Sequence, residues 1–257
     1  MRCWTRCKPA DWRARAWPPD PAHRVRRAEP ATTVFLTGTD TGVGKTHVAV
    51  GLVRAARELG IAACGYKPVA SGCRKFAGGL RNADARALLN ASGLPAADYG
   101  RVNPYAFAPA IAPHLAAREA GLRIDRRVLD RAHRSLARDH DLVIVEGAGG
   151  WQVPLGADWT LADWVADHAW PVVLVVGMRL GCLNHALLSA ESISRRTRLL
   201  GWVANACPPR QQRIEQNIVE LEQRMPAPLL ARIGPGGHVG HVALCAVLAH
   251  GQAREGG

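Results

Sequence analysis

Short apolar segments alternate with stretches of helical character from Ala31 onward. Five of these segments predict β-strands, at residues 34–37, 62–66, 142–146, 172–177 and 200–205. The third and fourth are almost continuously apolar, as strands buried on both faces of a sheet are. Strands that alternate with helices join through right-handed crossovers and form a parallel sheet. The pattern therefore predicts an α/β fold, with a mostly parallel sheet and helices on both faces.

The first predicted strand runs directly into a glycine-rich loop, within VFLTGTDTGVGKTHVAV at residues 34–50. Backbone N–H groups of such a loop can surround phosphate oxygens, while a Lys reaches the outer phosphates and a Thr hydroxyl joins Mg²⁺. Lys45 and Thr46 stand at those positions, and a helix is predicted over residues 45–59. The first glycine, Gly38, comes one position earlier than in the pattern G-x-x-x-x-G-K-[ST]. We predict a P-loop NTPase-like fold with a triphosphate site; the alternative is a strand-to-helix turn with a solvated Lys45.

Further polar side chains follow the other predicted strands, whose carboxyl ends meet at one edge of a parallel sheet. Lys67 and Ser71 follow the second strand, and Glu146 ends the third. Only four of the 33 basic residues are lysines, so the chain uses Arg wherever either residue would serve. A Lys at position 67 therefore indicates that a compact ammonium is needed there. Glu146 is at the position of an acid that holds Mg²⁺ beside a phosphate loop. The alternative is that its role is structural or that it caps a helix. Asp84 begins a predicted helix. An Asp at that position more often stabilises the helix N-terminus than binds a metal ion.

Composition excludes several other classes. The net charge is +12, but residues 1–30 alone carry eight Arg or Lys against three acids, and no stacking aromatic residues are interleaved with the Arg scattered on helices such as 123–138. We therefore expect no nucleic-acid partner. No apolar run approaches the roughly 18 residues of a membrane span, so we expect no membrane partner either.

Residues 1–30 and the cysteines give two further expectations. The Pro-, Trp- and Arg-rich residues 1–30 predict a disordered N-terminal tail, and residues 31–257 a single domain. A transit peptide would contain more Ser and fewer Pro, and translation starting further downstream is the other alternative. Seven cysteines without a C-x-x-C pair favour neither structural zinc nor a disulfide framework, and a cytoplasmic location fits.

Nine collinear motifs between residues 32 and 233 resemble those of the dethiobiotin synthetases. In chain order they are GTDTGVGKT, GYKPVASG, RNADA, VNPYAFAPAIAPH, VEGAGGW, LADWV, RLGCLNHALL, GWVAN and MPAPLL. The resemblance implies a cyclo-ligase of biotin biosynthesis, which uses ATP as co-substrate together with Mg²⁺. Its substrates would be 7,8-diaminononanoate (7,8-diaminopelargonate) and CO₂. Dethiobiotin would form through an N-carbamate and a carbamic-phosphoric anhydride.

The resemblance also implies roles for individual residues. Lys45 would act on the γ-phosphate, and Lys67 would hold the carbamate and its phosphorylated form, so both are catalytic. The metal ligands would be Thr46, Asp84 and Glu146. The nucleotide-binding set would comprise Gly42, Val43, Gly44, Lys45, Thr46, His47, Asp84, Glu146, Gly147, Ala148, Gly149 and Asn205. The substrate-binding set would comprise Thr41 and Ser71, joined from the second subunit of a homodimer by Leu180, Gly181, Cys182 and Asn184.

The chain departs from the family pattern on the side of the nucleotide base and ribose. Gly42 stands where bacterial members often have Glu, and Ala206 follows Asn205 where Asp is common. Residues 231–237 read ARIGPGG instead of beginning Gly-Glu-Ile-Pro. We therefore expect the phosphate and carbamate side to be retained, while base selectivity stays open.

Three related families fit the sequence less well. A ParA- or MinD-like ATPase would begin its loop with an additional Lys, where this chain has Gly38-Thr39-Asp40. The amidoligase that acts on cobyrinate would normally carry a glutaminase domain. A shikimate-type kinase would lack the pair GYKPVASG and VEGAGGW.

Overall fold

The computed structural model describes residues 31–206, 212–237 and 239–251. The disordered tail predicted for residues 1–30 lies outside these ranges and stays a prediction. Within them the chain alternates between strands and helices, as the apolar pattern predicts. The strands are β1 (Thr32–Gly38), β2 (Ala63–Tyr66), β3 (Val69–Ala70), β4 (Arg74–Phe76), β5 (Gly79–Arg81), β6 (Tyr105–Ala106), β7 (Leu142–Glu146), β8 (Val172–Gly177), β9 (Leu199–Asn205) and β10 (Leu229–Ile233).

The helices fall mostly between the strands of the main sheet. A short 3₁₀ turn at Ala96–Asp98 precedes the third of them. The helices are α1 (Lys45–Glu58), α2 (Ala83–Ala91), α3 (Tyr99–Val102), α4 (Pro113–Glu119), α5 (Arg126–Asp139), α6 (Leu161–Asp167), α7 (Cys182–Ser194), α8 (Ile214–Arg224) and α9 (His241–Gly251). In the described residues no helix combines the length and the apolar character that crossing a membrane requires.

Six strands form the main sheet in the order β10-β9-β8-β1-β7-β2, and every neighbouring pair is parallel. The central strand β1 pairs with β7 on one side and β8 on the other. Its register places Leu36 opposite Glu146 and Gly38 opposite Val175. Because β1 ends in the glycine loop, this register brings Glu146 directly beside that loop.

The core lies on both faces of this sheet. Every residue of β7 and β8 is buried, which confirms that these continuously apolar segments are central strands. One face packs against α5, α6, α7 and α8, with Phe35 and Leu174 among the strand residues in that apolar core. Helix α1 packs with α2 and α9 and contacts β1 and β7. The predicted arrangement of a parallel sheet between two helical layers is therefore confirmed.

The sequence pattern missed some elements. Strand β10 was not predicted, because its sequence LLARI contains the exposed Arg232 and lacks a clear apolar run. Helix α9 and the antiparallel β4–β5 hairpin were not predicted either. The five predicted strands agree with the structure to within two residues at each end, and the first helix ends at Glu58 with Leu59 as its C-cap.

Candidate active site

The glycine loop between β1 and α1 adopts a conformation that depends on its glycines. Gly42 and Gly44 have φ angles of 75° and 90°, in the left-handed region that favours glycine. A Cβ at Gly38 would lie 2.5 Å from Cγ2 of Val43, so a larger residue would force the loop open. Gly44 is also the N-cap of α1, whose first N–H groups lack partners within the helix and point toward the loop. The turn therefore has the form of an anion-binding site.

Lys45 begins α1 and curls back over the loop. Its Nζ donates to the backbone oxygen of Asp40 at 2.8 Å, and the side chain is buried. Burial, followed by the nearby positive charge of Lys67, lowers the pKa of Lys45 to about 8, against the opposing effect of the surrounding carboxylates. The ammonium is thus held inside the loop, where phosphate oxygens would bind.

Glu146 at the end of β7 joins the loop to Lys67. Its Oε1 accepts from Oγ1 of Thr46 at 2.8 Å and from Nζ of Lys67 at 2.6 Å. Lys67 also donates to the backbone oxygen of Gly147 at 3.1 Å and lies 3.4 Å from Oδ2 of Asp84. Side chains from four separate segments therefore meet at one edge of the sheet, and the positions of Lys67 and Glu146 at the ends of their strands predict part of this cluster.

Lys67 is buried and nevertheless charged. Burial alone lowers the pKa of its ammonium, but the charges of Glu146 and Asp84, and their hydrogen bonds, outweigh that effect and leave the pKa raised. The raised pKa means that Lys67 presents a permanent positive charge at the edge of the sheet. Such a charge suits an anionic group bound beside it.

The oxygen atoms of this cluster fit a hard divalent cation. Oε2 of Glu146 is buried and has no hydrogen-bond partner among the described residues. The carboxylate of Asp84 is partly exposed, and the hydroxyl of Thr46 lies between the loop and Glu146. Mg²⁺ prefers such oxygens and keeps several waters or phosphate oxygens as further ligands. Thr46, Asp84 and Glu146 thus supply oxygen atoms of the kind that Mg²⁺ prefers.

Two hydroxyl groups predicted to contact substrate lie near the same edge. Oγ of Ser71 is buried and has no hydrogen-bond partner within the described chain. Thr41 is exposed on the glycine loop, and its Oγ1 is 3.7 Å from where a Cβ of Gly149 would lie. The GAG sequence at 147–149 therefore passes close to the glycine loop. A Cβ at Gly147 would also lie 2.8 Å from the Phe35 ring, which explains the glycine there.

The segment predicted to come from a second subunit starts on the other side of the loop. Gly181, with φ 91°, is the N-cap of α7, and Cys182 is buried beneath it. Leu180 is 91% exposed, and Asn184 is also exposed. These two side chains point outward from this subunit.

Two members of the predicted nucleotide-binding set contact the loop and the C-terminal region. Asn205 is buried at the end of β9, and its Nδ2 donates to the backbone oxygen of Val43 at 2.8 Å. His47 on α1 has a ring nitrogen 2.7 Å from the backbone oxygen of Gly237. The first contact holds the loop, and the second ties α1 to the segment before α9.

Sequence reasoning missed the pair Asp40 and Arg179. The carboxylate of Asp40 accepts from the backbone N–H of Thr41 at 2.6 Å and forms an ion pair with Arg179, which follows β8. The signal available was their position, because both residues directly follow neighbouring strands of the sheet. The pair connects the glycine loop to the beginning of the 180–184 segment.

Comparison with known proteins identifies the family. A family model described as "AAA domain" matches residues 32–242. A protein of Pseudomonas aeruginosa (strain UCBPP-PA14), named ATP-dependent dethiobiotin synthetase BioD, is 56% identical over 201 residues, which are 77% of this chain and 88% of that protein. The chain belongs to the dethiobiotin synthetase family.

Other members of the dethiobiotin synthetase family align over a similar extent. ATP-dependent dethiobiotin synthetase BioD 1 of Salmonella typhi is 48% identical over 200 residues, 77% of this chain and 87% of that protein. The protein of the same name from Escherichia coli (strain K12) is 47% identical over 200 residues, 77% of this chain and 88% of that protein. The family predicted from the motifs is thus confirmed, as is the P-loop NTPase-like α/β fold.

Proposed function

We propose that this chain is a cyclo-ligase that converts 7,8-diaminononanoate, CO₂ and ATP into dethiobiotin, ADP and phosphate, in biotin biosynthesis. The observation that carries the proposal is the buried pair Lys67 and Glu146 beside the glycine loop, in a chain of this family. In this arrangement the loop would bind the triphosphate, and the ammonium of Lys67 beside it would bind a second anion. Phosphoryl transfer between two anions needs such an arrangement.

The residues support three successive steps. An amine of the substrate attacks CO₂ and loses a proton, which gives an anionic carbamate that the ammonium of Lys67 holds. A carbamate oxygen then attacks the γ-phosphorus, and the bond to the ADP oxygen breaks while Lys45 neutralises the charge on the transferred group. The second amine attacks the carbonyl carbon of the mixed anhydride, the bond to phosphate breaks, and the ureido ring closes.

Thr46, Asp84 and Glu146 are proposed to hold Mg²⁺. The unpartnered Oε2 of Glu146 supports this assignment, because a buried carboxylate oxygen without a hydrogen bond is costly unless a ligand satisfies it. When bound, the ion would offset the negative charge of the phosphates. The protein residues meanwhile orient the phosphates and the carbamate against each other.

The remaining members of the site are proposed to bind the two substrates. The substrate-contacting hydroxyls would be those of Thr41 and Ser71, the second of which has a buried oxygen without a partner in the described ranges. Loop N–H groups would surround the phosphates, and Asn205 and His47 would lie toward the base. The nucleotide set is Gly42, Val43, Gly44, Lys45, Thr46, His47, Asp84, Glu146, Gly147, Ala148, Gly149 and Asn205.

We further propose a cytoplasmic homodimer in which the 180–184 segment of one copy completes the site of the other. The exposure of Leu180, which comes just before α7, and of Leu188 on α7 supports an interface there. The N-terminus of α7 suits the far carboxylate of the substrate, with Gly181, Cys182 and Asn184 around it. Cys64 and Cys73 are free thiols, as a reducing cytoplasm would keep them.

A coupled assay tests the proposal. The full-length protein, incubated with Mg²⁺-ATP, bicarbonate and 7,8-diaminononanoate, is expected to form dethiobiotin and ADP in equal amounts. Removal of divalent ions with EDTA should abolish turnover, and added Mg²⁺ should restore it. Sedimentation analysis of the same sample should give the mass of a dimer.

Three outcomes would contradict parts of the proposal. Folded protein that forms neither product would refute the activity. ADP release that ignores 7,8-diaminononanoate would favour a partner-binding ATPase instead. Full activity of a sample that sediments only as a monomer would refute the shared site.

A further inference from the structure

Three buried polar side chains lie beside the candidate active site and have no direct part in the proposed steps. They are Asn82, Tyr99 and Asn103, with 8%, 4% and 3% of their surface exposed. Buried polar groups are costly unless they are hydrogen-bonded, so their partners indicate what they do.

The three residues form one continuous chain of hydrogen bonds. The backbone N–H of Asn82 donates to the hydroxyl of Tyr99 at 2.7 Å, and that hydroxyl donates to Oδ1 of Asn103 at 2.9 Å. Nδ2 of Asn103 donates to the backbone oxygen of Lys67 at 2.8 Å and to that of Tyr105 at 3.0 Å. The chain therefore runs from the start of α2 to the residue that would hold the carbamate.

Asn82 connects the same chain to two further site residues. Its Oδ1 caps α2 by accepting from the backbone N–H of Asp84 at 2.9 Å, and its Nδ2 donates to the backbone oxygen of Ser71 at 3.3 Å. The main chains of Lys67, Ser71 and Asp84 are thus joined through three side chains, although they belong to three different segments.

The centre of the network is the Tyr99 hydroxyl, which both accepts and donates. Burial raises the pKa of Tyr99, so the group keeps the proton that it donates to Asn103. The guanidinium of Arg81 lies 4.2 Å from the centre of the Tyr99 ring and covers one face of it. The ring is thereby fixed independently of the hydroxyl.

We propose that Tyr99 is a positioning residue for ring closure, which acts with Asn82 and Asn103 to hold Lys67, Ser71 and Asp84 in one relative arrangement. The inference rests on the function proposed above. Errors of about 1 Å in the position of reacting groups cost large factors in rate, so a network that fixes three backbones at once acts on turnover. Other contacts hold the glycine loop in place, so its conformation does not depend on this network.

The variant Tyr99→Phe removes the hydroxyl and keeps the ring. We expect kcat to fall about tenfold while the KM for Mg²⁺-ATP changes less than twofold, because Asp84 is the one member of the proposed nucleotide-binding set that the network holds. Tyr66→Phe is the matched control. It also removes a buried phenol hydroxyl, next to Lys67 in sequence, but that hydroxyl donates to Leu129 on α5 at 2.9 Å and lies outside the network.

A second variant tests the continuity of the network. Asn103→Ser should lower kcat by a similar factor, and the double variant with Tyr99→Phe should lose much less than the product of the two factors, because both changes break the same chain. Circular dichroism establishes that each variant is folded at the assay temperature.

The outcomes separate this inference from the proposed function. An inactive wild-type protein refutes the proposed function and, with it, the positioning role that rests on that function. An active wild type with an unchanged kcat in Tyr99→Phe refutes the positioning role. A loss of kcat equal to that of Tyr66→Phe, or multiplicative effects in the double variant, also refutes it, since a general loss of stability would then explain the result.

Discussion

The two ends of the parallel sheet bury titratable side chains in opposite ways. At the carboxyl ends of β1, β2 and β7, Lys67 is buried against two carboxylates and its pKa is raised. Near the amino end of β1, His133 is buried against aromatic rings, and its pKa is lowered to about 4. One end keeps a buried charge, and the other keeps a buried side chain neutral.

The cluster at the amino end consists of rings from α5 and α6 and the segment before β8. His133 shares a hydrogen bond of 2.9 Å with Thr33, and its ring centre is 4.5 Å from that of Trp170. The ring of His168 stacks on Trp170 at 4.4 Å. Asp130 accepts from Nε1 of Trp164 at 2.8 Å and from His168 at 2.8 Å.

The difference between these ends separates function from stability. The carboxyl end leaves buried atoms without protein partners, such as Oε2 of Glu146 and Oγ of Ser71, which a ligand would satisfy. At the amino end the polar atoms of His133, Asp130 and Trp164 already have partners within the protein. Changes at the first end should therefore affect turnover, and changes at the second should affect folding.

The largest effect is expected for Lys67→Arg. The guanidinium is too wide and too rigid for a position 2.6 Å from Glu146 and 3.1 Å from the Gly147 oxygen, even though it keeps the charge. We expect kcat to fall at least about a thousandfold, or about 4 kcal/mol of transition-state stabilisation. Lys75→Arg, in the exposed hairpin strand β4, is the control and should keep wild-type kcat. A near-normal kcat in Lys67→Arg would refute the role of the compact ammonium.

A smaller effect is expected when the pH is lowered, and it arises from His133 near the amino end of β1. Burial is the largest cause of the low pKa of His133, followed by the charge of His168, while Asp130 raises it and Arg134 lowers it. Since the unfolded chain has the ordinary pKa of about 6.5, it binds more protons than the folded chain between pH 6.5 and 4. The stabilisation is complete above pH 6.5 and declines as the pH falls toward 4.

Urea unfolding at a series of pH values measures this decline. The contribution of His133 to the free energy of unfolding should fall by up to about 3 kcal/mol across that interval. His133→Gln, which keeps a hydrogen-bonding group toward Thr33 but does not titrate, should show a shallower dependence on pH. Equal slopes for the two proteins would show that His133 does not sense the pH.

The smallest effect is expected for Asp130→Asn in the same cluster. The amide accepts more weakly than the carboxylate from Trp164 and His168, so the free energy of unfolding at neutral pH should fall by about 1 kcal/mol. The kcat of the folded protein should stay unchanged. Asp158→Asn, at an exposed position, controls for the change in net charge. A loss of kcat without a loss of stability would break the separation between the two ends.

How far the sequence predicts the structure differs between regions. Strands β7 and β8 could be predicted to the residue because burial on both faces requires an apolar side chain at every position. Strand β10 could not, because it lies at the edge of the sheet and its Arg232 pairs with Glu215 and Glu222 at the surface. Local pattern therefore identifies strands whose residues are all buried, including the edge strand β2, better than a strand with an exposed charged side chain.

Some parts of the candidate site could likewise be predicted from the sequence, and others could not. Lys45 and Thr46 lie in one short motif whose geometry depends on neighbouring glycines, so the sequence alone determined the triphosphate loop, and the motifs determined the family. The parallel order of the sheet also follows from the alternation of strands and helices. These properties rest on interactions between residues close together along the chain.

Only the tertiary structure decided which side chains meet. The contact of Lys67 with Asp84 and Glu146, the pair Asp40 and Arg179, and the network through Tyr99 each join segments that are far apart in sequence. The raised pKa of Lys67 and the lowered pKa of His133 likewise arise from burial and from neighbouring charges. Both depend on packing between layers, which no local pattern encodes.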